Sequence, residues 1–128
     1  MKPALKRGQT LSLERIVSQE DTAARYGSGD LDVLATPALV AFMENTALSL
    51  VAPHLPESES TVGIAITLDH VRATAVGRNV KCTAVLEKIE GNRLLFDVTA
   101  WDGSNRIGYG KHTRYIIDID RFMSKLDT

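Results

Sequence analysis

Glu44 is the residue of this sequence whose surroundings most demand an explanation. It lies inside TPALVAFMENTALSLVAPH, the stretch from Thr36 to His54, which carries the one long helical pattern of the chain. At about 100° per residue, Pro37, Val40, Ala41, Ala47, Leu48 and Val51 fall within roughly 60° of Glu44, and all are apolar. Thr46 and Ser49 fall on the opposite side, with Asn45 on the flank beside Leu39, Phe42 and Leu50. An ionised carboxylate in apolar surroundings is costly, so it raises its pKa or takes a partner. A solvated or structurally ion-paired Glu satisfies that demand, and so does a catalytic carboxylate held in a cleft.

His70 is the natural counterpart. It ends the alternating row Val62, Ile64, Ile66, Leu68, His70, which predicts that it points toward the helix. Alone, such a His is more often a satisfied core or edge histidine. Opposite a helix-borne Glu it becomes half of an acid–base unit, the carboxylate orienting the imidazole or acting as nucleophile beside it. Thr36 suits the N-cap of the helix, a duty that explains it without any chemistry. His54 is positioned to interact with the helix C-terminus, and His112 is expected on a strand surface. The single cysteine, Cys82, sits in a strand-like run and reads as a small buried hydrophobe rather than a nucleophile. Three scattered histidines without HxxxH or paired-Cys spacing predict no metal centre. The sequence also lacks a Gly-rich phosphate loop after a strand and a GxSxG elbow.

The elements that must position these groups follow from punctuation and period. Pro37 suits the first helical turn and Pro53 closes the helix. Before it, a short strand within Gly8–Ser18 leads into the polar stretch QEDTAARYGSGDLD, read as a loop of the kind that often serves as lid or binding loop. After it, HLPESES is a turn-rich exit, and the period changes to two from Thr61 to His70. Further strands are predicted over Val80–Ile89, Leu94–Trp101 and Arg106–Ile117, separated by turns at Gly77-Arg78-Asn79, Glu90-Gly91-Asn92-Arg93 and Asp102-Gly103-Ser104-Asn105. Gly108 and Gly110 should weaken or bulge the last of them, and Asp118 or Asp120 can cap a short terminal helix. The layout is α+β, an antiparallel sheet curved around one long central helix, in a single domain over residues 1–128.

Composition removes several function classes. With 44% apolar residues and a net charge of -1, neither nucleic acid nor an anionic membrane is the expected partner. No apolar run approaches the length of about 18 residues that a span requires, and MKPALKRGQT lacks the apolar core of a signal peptide. A cytoplasmic location is the expectation. The Lys and Arg residues at 72, 78, 81, 93, 111 and 114 are scattered, and most read as solvated strand edges.

Three segments carry a resemblance: LATPALVAFMENTAL, VGIAITLDHVRATAVG and EGNRLLFDVTAWDGSNRIGYGKHTRYII. The chain resembles the hotdog-fold thioesterases, most closely the fluoroacetyl-CoA thioesterase group, from about Asp32 to its end. In that group a Thr before the helix, a Glu eight residues on and a His twenty-six further form the catalytic set. Thr36, Glu44 and His70 match in type and spacing. The resemblance further implies that Gly63 lines the acyl pocket and that Arg114 belongs to the substrate site. It implies an acyl-CoA substrate, with coenzyme A entering as part of that substrate and no separate cofactor. The aromatic residues with which that group closes its pocket correspond to Gly27 and Asp30 here, so the match carries thioester hydrolysis but not fluoroacetate discrimination. A non-catalytic acyl-CoA-binding hotdog domain and a hotdog hydratase or dehydratase are the rival readings, since the fold hosts all three.

Helix geometry adds one constraint. Eight residues at about 1.5 Å each separate Thr36 from Glu44 by roughly 12 Å along the axis. Either the helix begins later and the chain folds back, or Glu44 works with the helix N-terminus of a second chain. Hotdog domains commonly pair with central helices facing, so a homodimer with composite sites is expected.

Overall fold

The computed structural model describes residues 4–127, so the first three residues of the basic amino-terminal stretch lie outside the description. Strand β1 (Thr10–Ile16) is followed by a 3-10 turn (Gln19–Asp21), a one-turn helix α1 (Ala23–Tyr26), the central helix α2 (Thr36–Val51) and a second 3-10 turn (Ala52–His54). Then come β2 (Glu59–His70), β3 (Asn79–Glu90), β4 (Arg93–Asp102) and β5 (Asn105–Asp118), and a short helix α3 (Ile119–Ser124) capped by the Asp118 side chain. Gly91 and Gly103 supply the left-handed conformations that the two tight hairpins need, with φ of 64° and 60°. No described helix is long and apolar enough to cross a membrane.

The five strands form one antiparallel sheet in the order β1-β3-β4-β5-β2, leaving β1 and β2 at its edges. Val80, Cys82, Ala84 and Leu86 of β3 and Leu94, Phe96, Val98 and Ala100 of β4 alternate onto the inner face and are buried. They pack against Leu39, Met43, Ala47, Leu50 and Val51 of α2. Each large side chain so buried contributes about 1.5–3 kcal/mol, which holds the helix on the sheet despite its having no strong cap of its own.

Three expectations need correction. The helix side turned to the sheet includes Thr46, placed by the wheel among the polar residues; it is fully buried, its hydroxyl donating to the Phe42 carbonyl at 2.8 Å. A Thr that satisfies itself on its own helix can enter a core. The side around Glu44 stays partly open instead, with Pro37 and Ala41 exposed and Val40 and Leu48 half-buried. Second, the row from Val62 to His70 is not one face. The β2–β5 register slips between Gly63 and Ala65, so Thr61 and Gly63 face inward, Ile64 is left 54% exposed, and Ile66, Leu68 and His70 resume the inner face. Third, the stretch before α2, read as loop, contains the 3-10 turn Gln19–Asp21 and the one-turn helix α1. Its Ala23 and Ala35 amides donate to the carbonyls of Val33 and Asp21.

Candidate active site

The first group of residues is built at the start of α2. Asp21 is buried, paired with Arg15 at 2.7 Å and accepting from the Ser18 amide at 2.9 Å, while its carbonyl accepts from the Ala35 amide. That anchorage makes extended Ala35 the N-cap and Thr36 the first helical residue, so Thr36 does not cap the helix as its type suggested. Its hydroxyl is free for another partner and lies 2.8 Å from His70 Nδ1. With Nδ1 unprotonated, the Thr36 hydroxyl donates to it, the geometry of a hydroxyl beside its base. His70 Nε2 is buried with no well-formed hydrogen bond among the described residues. Burial lowers the His70 pKa, opposed in part by the Arg72 backbone, which favours the neutral, proton-accepting imidazole. The pair borders a cleft of about 280 Å³ lined also by Ser28, Val33 and Arg72. The first-turn amides of Thr36 and Ala38 lie beyond the reach of intrahelical acceptors and carry the positive end of the helix dipole.

The second group surrounds Glu44. Inner-face pairing sets Gly63 opposite Arg114 and Ile66 opposite His112, and a Cβ at Gly63 would lie 2.6 Å from Glu44 Oε2. The carboxylate thus closes over bare backbone, where only glycine leaves it room. Arg114 is buried; its Nε donates to Thr61 Oγ1 at 2.8 Å and its Nη2 to the Thr61 carbonyl at 3.0 Å. Its Nη1 stands 3.8 Å from Glu44 Oε2 and 3.1 Å from His112 Nε2. Glu44 therefore has a cationic neighbour, as the apolar stripe required, while its side chain remains 39% exposed.

His112 corrects the sequence reading, which set it on a strand surface; it is only 2% exposed, tilted against Phe96. A signal was available. His112 and Arg114 are two apart on one strand, so an inward Arg114 brings His112 inward with it. The other basic side chains follow expectation: Arg78 pairs with Asp102 and Lys111 with Glu87 and Asp97 from exposed positions. Among the described residues no group of three or more His, Cys, Asp and Glu side chains is arranged to hold a metal ion.

The chain thus brings together Thr36 with His70, and Glu44 with Gly63 and Arg114, but not the two groups with each other. Because α2 runs unbroken from Thr36, Thr36 and Glu44 stay about two turns apart, roughly 12 Å.

The family model of the fluoroacetyl-CoA-specific thioesterases matches residues 17–120. The chain belongs to that family. It is 39% identical to a fluoroacetyl-CoA thioesterase of Streptantibioticus cattleyicolor over 95 residues, covering 74% of this chain and 68% of that protein. A solved structure of the fluoroacetyl-CoA thioesterase FlK superposes with a TM-score of 0.92 at 31% identity, over 98% of this chain and 97% of that one. A thioesterase-superfamily protein of Thermus thermophilus superposes with a TM-score of 0.87 at 27% identity, covering 99% and 96% of the two chains. The architecture is the hotdog fold, and the chain is a thioester hydrolase of the acyl-CoA thioesterase class.

Proposed function

We propose that the protein hydrolyses short acyl-CoA thioesters at two equivalent sites of a homodimer, each built from both chains. Thr36, His70 and the first-turn amides come from one protomer, Glu44, Gly63 and Arg114 from its partner. The observation that carries this reading is the separation of the two groups along one unbroken helix, which no rotation of two short side chains bridges. The half-open apolar stripe around Glu44 and the outer edge of β2 offer the surfaces on which a second copy would close.

In that arrangement the helix amides polarise the thioester carbonyl. Glu44 attacks it or deprotonates the attacking water, and Thr36 orients the acyl group or, giving its hydroxyl proton to the neutral His70, takes part in its transfer. His70 hands on to the departing CoA sulfur the proton it has first accepted from Thr36 or from water. The products are the free acid and CoA. A CoA-borne substrate suits a cytoplasmic enzyme. The left-handed Gly27, with φ of 71°, ends α1 where a large aromatic side chain would be strained, and Asp30 is exposed. Both features favour an acyl site without selection for fluorine.

The test mixes two inactive variants, Thr36→Ala and Glu44→Gln, under conditions that exchange subunits, and follows thiol release from short acyl-CoAs. A mixed dimer carries one doubly damaged and one intact site, so activity returns. Mixed dimers verified by mass that stay as inactive as their parents overturn the composite site. Tight acyl-CoA binding by the wild type without thiol release would make the protein a binding module.

A further inference from the structure

The imidazole of His112 has both nitrogens committed, and the commitments fix its tautomer. Nδ1 lies 2.8 Å from the Ala65 carbonyl, which can only accept, and Nε2 lies 3.1 Å from Arg114 Nη1, which can only donate. The ring must therefore be neutral, protonated at Nδ1 and presenting a lone pair at Nε2. Its 4.0 Å approach to Glu44 Oε2 is accordingly no ion pair. The Ala65 carbonyl belongs to the slipped register of β2, next to Gly63. Thr61, on the far side of the same irregularity, accepts from the other two nitrogens of the guanidinium, Nε and Nη2. Arg114 is thus held from two sides, by Thr61 and by His112, with Nη1 turned toward the Glu44 carboxylate.

From this geometry we propose that His112 is a positioning residue for thioester hydrolysis, a neutral acceptor that aims the Arg114 guanidinium at Glu44 and so sets where the reacting carboxylate lies. The proposal rests on the reading of Glu44 as the reacting group. The groups facing the ring are Arg114 of the same strand, Glu44 of α2, and the uncharged Gly63 and Ala65 of β2 and Phe96 of β4. Burial and the Arg114 charge both lower the His112 pKa, outweighing Glu44 and the Ala65 carbonyl, in keeping with the neutral ring that the contacts require.

Two near-isosteres separate the two nitrogens. Glutamine carries its terminal atoms near the place of Nε2 and can accept from Arg114. Asparagine mimics Nδ1, keeping the bond to Ala65 while losing the acceptor. The expected result is that His112→Gln keeps kcat within about threefold of wild type, whereas His112→Asn loses about 10–100-fold, the scale of one hydrogen bond to a charged group. The loss falls on kcat with KM little changed, because the acceptor sets the carboxylate rather than holding the substrate. Long-range proton–nitrogen NMR on the wild type supplies a readout that needs no variant: the Nδ1–H tautomer of His112 should persist across the active pH range. An Nε2–H tautomer, a protonated ring, or equal turnover by the two variants overturns the proposal alone. Absence of thiol release from any short acyl-CoA by the wild type overturns the functional reading and this proposal with it.

Discussion

Replacing Gly63 by alanine adds one methyl group at the point where the backbone of β2 meets the Glu44 carboxylate. The new Cβ would lie 2.6 Å from Glu44 Oε2, 3.1 Å from His112 Cε1 and 3.2 Å from Arg114 Nη1. His112 and Arg114 are buried and hydrogen-bonded and cannot retreat far, whereas the Glu44 side chain is 39% exposed and can. Reaching an ordinary 3.4 Å contact moves Oε2 by about 0.8 Å, the difference of the two distances. A misplacement of about 1 Å at a reacting group costs on the order of 100-fold in rate, so kcat should fall about 10–100-fold. Stability should change little. Gly63 has no positive φ, so alanine fits its backbone, and the loss of unfolded-state freedom, worth about 0.4–1 kcal/mol, offsets the crowding. The measurement is steady-state thiol release alongside thermal melting, with Tm expected within about 5 °C of wild type. Wild-type kcat in Gly63→Ala would refute the reasoning, since a displaced Glu44 would then be catalytically irrelevant. A large fall in Tm would show that Glu44 cannot give way and that the crowding is absorbed by the sheet.

Three further outcomes are expected. The ratio of kcat/KM for fluoroacetyl-CoA over acetyl-CoA should stay well below a thousandfold, because fit alone to one small substituent yields only about 10–200-fold, and a larger preference would contradict the open loop at Gly27 and Asp30. Burial lowers the pKa of both His70 and His112 from 6.5, so below that value the unfolded chain binds protons that the native one does not. Stability should therefore fall as pH drops from about 7.5 to about 5.5, and a Tm that holds or rises over this range would contradict it. Cys82 is fully buried with its thiol pKa pushed up to about 11 by desolvation, so a thiol reagent should modify it only upon unfolding, and rapid labelling of the native protein would place it elsewhere.

Much of the architecture was legible because its signals are local. Proline near each end of the helical run, the change of period after Thr61, and glycine in each hairpin turn act over a few residues and need no knowledge of neighbours. They predicted the order of the principal elements and the α+β layout. The spacing of Thr36, Glu44 and His70, with Gly63 and Arg114, was likewise legible through the family resemblance, since it is a pattern of residue types along one chain. What the sequence could not specify was which face each residue presents. The one-residue slip between Gly63 and Ala65 turns Val62 and Ile64 away from the face of His70, and such a slip is settled by pairing with β5. Thr36 reads as a cap, yet the anchoring of Ala35 on Asp21 moves the helix start by one residue and releases the hydroxyl toward His70. His112 reads as a surface residue because a His in a strand carries no mark of burial. Only the pairing of β2 with β5 gives it an acceptor on one nitrogen and a donor on the other. Local propensity determined the elements, and tertiary pairing decided which atoms of those elements face each other.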